Sequence, residues 1–132
     1  MYSITVRNNI LIAHSLPGDV FGPAQNMHGA TYIVDAEFFS ENVNKYNIIM
    51  DLGVVTNILA EVLKFYSYKN LDEVDEFKDI ITSTEFLAKN ICEKILNKLQ
   101  SDYPNDYKIL KKIKISLQES NVAWATYEQQ IN

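Results

Sequence analysis

The chain holds two histidines, His14 and His28, one at each end of a loop that carries Pro17-Gly18 and Gly22-Pro23. One loop joining two adjacent antiparallel strands can bring their ends within ligand distance of a common ion. Zinc in a catalytic site takes three protein ligands and keeps a fourth position open. In the stretch QNMHGATY, residues i and i+2 of a strand face the same way, so Ala30 stands where a third ligand beside His28 would be. Taken singly, each histidine is explained as a hydrogen-bonded polar residue at a strand end. As a pair they point to a metal.

Two further groups could recognise a ligand. Ile113, Ile115, Leu117 and Glu119 alternate along one strand face, so a carboxylate ends an apolar row. Such a group is costly unless paired, and the guanidine-like edge of a pterin or guanine offers two adjacent N–H donors that match it. An ion pair with a lysine of the next strand or subunit, or a position just past the strand's end, explains it as well. Thr82-Ser83-Thr84-Glu85 fits a capping box, with Ile81 and Phe86 as the hydrophobic staple and Glu85 at the third helical position. The free N–H groups of that helix start can also bind a ligand's acceptor.

The elements that position these groups follow from periodicity. Tyr2, Ile4 and Val6 alternate with polar residues and Ile10 to Ala13 continue apolar, which reads as a bent strand or two short ones ending at His14. Ser15 to Met27 is loop. His28 to Phe38 is a long strand with its even positions on one face and Asp35 and Glu37 on the other. Asp51 stands as N-cap ahead of Val55, Ile58, Leu59, Val62 and Tyr66, and Leu87, Ala88, Ile91, Cys92, Ile95, Leu96 and Leu99 line a second helix. Tyr103-Pro104-Asn105-Asp106 reads as a turn, followed by the Glu119 strand and a last strand over Val122 to Tyr127. The expected fold is α+β, strand-strand-helix-helix-strand-strand, one domain over residues 1–132. Its four-stranded antiparallel sheet carries both helices on one face. The other face and the sheet edges need a partner, which predicts homo-oligomerisation through the sheet.

Composition narrows the function classes. A net charge of −5 argues against a broad phosphate-binding surface, and the cluster Lys108, Lys111, Lys112 and Lys114 is short and flanked by acids, so no nucleic-acid partner is expected. No apolar run is long enough to span a membrane. The single cysteine, Cys92, lies on a helix face, which suits a reducing cytoplasm. Walker loops, dinucleotide fingerprints, nucleophile elbows and CxxC pairs are absent.

Six segments in order, IAHSL, FGPAQNMHGATY, IIMDLG, YKNLDE, TSTEFLA and LQESNVAWATYE, make the chain resemble the 6-pyruvoyltetrahydropterin synthase and 6-carboxytetrahydropterin synthase (queuosine-pathway) family. The resemblance implies a tunnelling fold, assembly into trimers or hexamers with active sites between subunits, and lyase chemistry on a dihydroneopterin-triphosphate-like or reduced pterin substrate. It matches His14 and His28 to two of three zinc ligands and Glu119 to the pterin-anchoring carboxylate. Ser83, Thr84 and Glu85 match ring contacts that a neighbouring subunit supplies. The third zinc ligand falls on Ala30, the general-base cysteine on Ala24, and the Asp-His proton relay on Ser67 and Tyr68.

The resemblance therefore implies a kept ligand-holding half and an altered proton-moving half. Asp19 and Gln25 are the loop residues that could add oxygen ligands, and Tyr68 or Tyr127 the candidate acids; Tyr68 is the catalytic expectation. A tyrosine with a pKa of about 10 is a poor base at neutral pH unless a cation lowers it. The alternative is a non-catalytic pterin- or purine-binding oligomer with a degenerate active site.

Overall fold

In the computed structural model, which describes residues 1–132, β1 (Tyr2–His14) runs unbroken for 13 residues. It pairs antiparallel with β2 (His28–Ser40) from Tyr2 opposite Ser40 to His14 opposite His28. The polar pair Asn8-Asn9, where the sequence suggests a bend, lies within the continuous ladder. Asn8 and Asn9 face Val34 and Ile33, and pairing along the whole partner strand overrides the local preference of asparagine for turns.

β2 pairs on its other side with β4 (Leu110–Ser120), and β4 with β5 (Ala123–Gln130), both antiparallel. The sheet has a fifth strand that the sequence reading lacks. β3 is only Lys69–Asn70, and it lies parallel to β1 at Ile12 and Ala13, so the order is β3-β1-β2-β4-β5 and the sheet is mixed. Two residues are too few to show any alternation.

Two helices cover one face. α1 (Leu52–Leu63) starts at Asp51, whose carboxylate accepts from the Gly53 and Val54 amides, and it packs on β1 through Val55, Ile58, Leu59, Val62 and Leu63. α2 (Thr84–Asp102) packs on β4 and β5 through the seven apolar positions its periodicity marks. Tyr32, Val34, Ala36 and Phe38 of β2 and Ile113, Ile115 and Leu117 of β4 meet them in one core, each at most 1% exposed. Burying such side chains contributes roughly 1.5–3 kcal/mol apiece.

The expected turn at Tyr103 to Asp106 is instead the start of α3 (Pro104–Ile109), with Pro104 at its first turn. Proline's fixed φ suits that position, so the same residue that signals a turn also opens a helix.

The opposite sheet face is polar. Arg7 makes two hydrogen bonds to Asp35 at 2.7 and 2.9 Å, Ser3 donates to Glu37, and Ser116 pairs with Thr126. Lys112 pairs with Glu128 at 3.5 Å and lies over the Phe39 ring, so part of the lysine cluster is neutralised within the sheet. No helix is long and apolar enough to cross a membrane.

Candidate functional site

The β1–β2 ladder ends on the two histidines. Their ring centroids are 4.6 Å apart at 63°, because His14 and His28 are direct cross-strand partners whose side chains leave the same face. The intervening loop folds back through a 3-10 segment, Asp19–Gln25, and the Leu16 amide donates to the Ala24 carbonyl at 3.0 Å to close it. Gly22, at φ 52° and ψ −127°, makes that reversal in a region that side chains with a Cβ avoid.

Each imidazole is held by its Nδ1. His28 Nδ1 lies 2.8 Å from the Asn26 carbonyl, which can only accept, so that nitrogen carries the hydrogen and Nε2 presents a lone pair. His14, 1% exposed, has Nδ1 at 3.0 Å from Thr82 Oγ1, itself on a residue 2% exposed. Burial, then the neighbouring His28, hold the His14 pKa below its ordinary value, against opposition from Asp72 and Thr82. Neutral imidazole is the form that ligates metal.

Thr82 escapes the sequence reading because it looks like part of a helix cap. The cap is in fact Ser83, whose hydroxyl accepts from the Phe86 amide, which shifts the helix by one residue. Glu85 is then the second helical residue rather than the third, and the reciprocal capping bond is absent. Thr82 is free to hold His14, and Glu85 is exposed and free to meet a ligand.

Asp72 is the second residue the sequence reading overlooks as part of the site. Its carboxylate accepts from the Ser15 amide at 3.0 and 3.2 Å and from the Ser15 hydroxyl, while its own amide donates to Asn70 Oδ1. The residue after His14 is thereby tied to the segment after β3. Ser15 and Asp72 also line a 520 Å³ cleft with Pro17, Phe77, Asp79, Ile80 and Ile81.

The second half of the site lies further along the sheet. Glu119 does not end a buried row as the alternation suggests; it is exposed. Gln118 pairs with Trp124 and Ser120 with Ala123, so Glu119 is the extra residue of a bulge that aims it out of the ladder. It shares a cleft of 320 Å³ with Thr84, Glu85, Ala123, Trp124, Ala125 and Thr126. Three sequence-predicted ligand residues, Thr84, Glu85 and Glu119, therefore meet within one chain. Ser83 is adjacent, but its hydroxyl is occupied by the cap. Nearby Tyr32 is 1% exposed, and burial raises its phenol pKa, with Thr84 opposing the rise and Glu119 and Glu85 adding to it. The turn Thr82–Glu85 thus touches both halves, with Thr82 on His14 and Thr84 and Glu85 in the Glu119 cleft.

Other expected groups lie apart. Tyr68 is 85% exposed, at φ 61°, with its amide donating to the Leu11 carbonyl at the level where β3 begins. Tyr127 is half-buried with its hydroxyl directed to Gln129, and the Gln25 amide donates to the Gly22 carbonyl. Asp19 is exposed in the loop. Cys92 is buried in α2, and burial pushes its thiol up to about 12.

No three His, Cys, Asp or Glu side chains come together. Position 30 faces Ile12 and carries a methyl group that packs against the core. Two imidazoles do not fit a three-ligand catalytic zinc site.

A mixed sheet with both helices on one face, an imidazole pair at one strand end and a bulged carboxylate in a cleft beside the helix start define an α+β protein of the tunnelling-fold class. The model of the 6-pyruvoyl tetrahydropterin synthase family matches residues 3–130, and the chain belongs to that family. Among solved structures it is similar to the 6-pyruvoyl tetrahydropterin synthase of Caenorhabditis elegans, with 22% identity, a TM-score of 0.80, and 98% of this chain and 96% of that one covered. The enzyme of Plasmodium vivax gives 15% identity and a TM-score of 0.79, with 98% of both chains covered. That of Plasmodium falciparum gives 15% and 0.80 over the same shares. At these identities the likeness shows the fold. No curated protein matches the sequence.

Proposed function

We propose that the protein acts on a reduced pterin or a dihydroneopterin-triphosphate-like substrate, with Glu119 anchoring the ring. The observation that carries this reading is the meeting of Glu119, Thr84 and Glu85 in one cleft. A carboxylate accepts two parallel N–H bonds from the amino-pyrimidine edge of such a ring, and hydrogen bonds of that charged kind are worth about 1.5–3 kcal/mol.

The bulge supports the anchor role, since it lifts Glu119 off the ladder and leaves both oxygens free. Tyr32, buried nearby, keeps a neutral phenol. His14 and His28 are the pair that would hold a zinc ion through Nε2, with water in the positions a third imidazole would take. Two protein ligands hold zinc weakly, so no chemical step is assigned to it. Copies assemble through the sheet edges, since β3 covers β1 only at Ile12 and Ala13 and the outer edge of β5 has no partner strand. A trimer or hexamer in the cytoplasm is the expected form.

A non-catalytic pterin- or purine-binding module is the second reading, favoured by one observation. Ala24 closes the loop beside His14 and Ala30 sits next to His28, so neither a thiol nor a third imidazole stands at those positions. The two readings share the ring site and differ in turnover.

Calorimetric titration with 7,8-dihydropterin, followed by incubation with dihydroneopterin triphosphate and an assay for released triphosphate, tests both. Saturable binding that Glu119→Gln weakens by about 10- to 100-fold supports the anchor. Triphosphate release assigns a lyase; binding without release assigns the module. No binding to the wild-type chain rejects the ring site.

A further inference from the structure

We infer that the site takes a reduced pterin whose side chain bears no phosphate; this rests on the reading of Glu119 as ring anchor. Two clefts adjoin the Thr82–Glu85 turn. In the 320 Å³ cleft the charged residues are Glu85 and Glu119. In the 520 Å³ cleft, lined by Ser15 and Ile81, the chain neighbours of His14 and Thr82, they are Asp72 and Asp79. No lysine or arginine lines either one.

The cations closest in sequence are placed elsewhere. Lys69 sits over the Phe65 ring at 4.7 Å, and Lys89, one turn along α2 from Glu85, lies 6.0 Å from the Tyr127 ring centroid. Lys78 adjoins Asp79 in the chain but is exposed, outside the cleft lining. Arg7 is on the opposite sheet face, bonded to Asp35. The positive end of α2 would draw a phosphate, but Ser83 Oγ already accepts from the Phe86 amide and Glu85 adds a negative charge in the first turn. A triphosphate tail therefore brings several negative charges to a site whose own charges are carboxylates, in a chain of net charge −5. A side chain of hydroxyl groups meets no such repulsion, and its hydroxyls can donate to those carboxylates.

Full-length protein is titrated by calorimetry with 7,8-dihydroneopterin and with its triphosphate, without magnesium, at about 10 mM and about 150 mM salt. The expected result is a Kd at least about tenfold weaker for the triphosphate at low salt, with the gap narrowing at higher salt as the repulsion is screened. Asp79→Asn removes one charge and keeps a residue that tolerates the φ of 61° at that position. It should narrow the gap about twofold and leave the dihydroneopterin Kd unchanged. A triphosphate that binds as tightly as dihydroneopterin, or a gap that neither salt nor Asp79→Asn moves, overturns the selection by charge. The anchor is read separately, from the loss of dihydroneopterin binding in Glu119→Gln, and stands in either case. If wild type does not bind dihydroneopterin, both fall.

Discussion

The bond set between Asp72 and Ser15 can be dissected quantitatively, because it has a backbone part and a side-chain part that separate mutants isolate. Asp72 accepts from the Ser15 hydroxyl at 2.5 Å and from the Ser15 amide at 3.0 and 3.2 Å. Hydrogen bonds to a charged group are worth about 1.5–3 kcal/mol when protected from water, and less at a site as open as Asp72. Ser15→Ala removes only the hydroxyl bond and should cost about 1 kcal/mol. Asp72→Ala removes the amide contact as well and should cost about 2 kcal/mol. In the double mutant the hydroxyl has already lost its acceptor, so its stability should match Asp72→Ala alone, a coupling of about 1 kcal/mol. Urea unfolding at one fixed protein concentration gives the four values, since assembly would otherwise make stability concentration-dependent. Simple additivity of the two single losses would refute the clamp.

Three other perturbations separate parts of the site. Ser83→Ala should destabilise the fold by about 1 kcal/mol through loss of the cap, whereas Glu85→Gln should leave urea stability unchanged and weaken dihydropterin binding; equal stability losses would restore the capping-box reading. Ala30→His places a third imidazole on the face shared with His28, one pair along from His14, and should convert a protein that loses zinc on gel filtration into one that retains one equivalent by elemental analysis; no gain would refute the shared face. Cys92 has its thiol raised from 9.0 to about 12, so folding favours the neutral form: its contribution is complete below pH 9 and declines as pH rises towards about 12, where ionisation opposes burial. A thiol reagent at pH 8 should label Cys92 only in unfolded protein, and rapid labelling of the native chain would contradict the burial.

Much of this architecture is legible in residue order because its signals are local or strictly periodic. Both helix faces, the β2 alternation, the Asp51 cap and the facing of His14 and His28 follow from spacing alone. What spacing misses depends on contacts distant in sequence. β3 is two residues whose only reason to be a strand is the edge of β1. Thr82 and Asp72 act on His14 and Ser15 across 68 and 57 positions, and a threonine or aspartate beside a cap carries no mark of such a partner. Glu119 shows the converse failure. Its alternation with Ile113, Ile115 and Leu117 is real in sequence, but the bulge at Gln118 and Ser120 breaks the face before the carboxylate reaches it.

The same bulge explains why a carboxylate can sit here without a cationic partner. An in-register Glu119 would point towards the core beside Tyr32, and a buried unpaired carboxylate would be protonated or would destabilise the sheet. One extra residue turns it outward, where water solvates it. Thr84 and the following residue, Glu85, line the same cleft, and Glu85 extends its acidic rim. Because Thr82 lies two residues before Thr84, the start of α2 that shapes the Glu119 cleft also fixes the buried imidazole. A side chain at Thr84 cannot be displaced far without moving the residue that holds His14. The Glu119 cleft and the histidine pair are in that sense joined by backbone rather than by a chain of polar side chains.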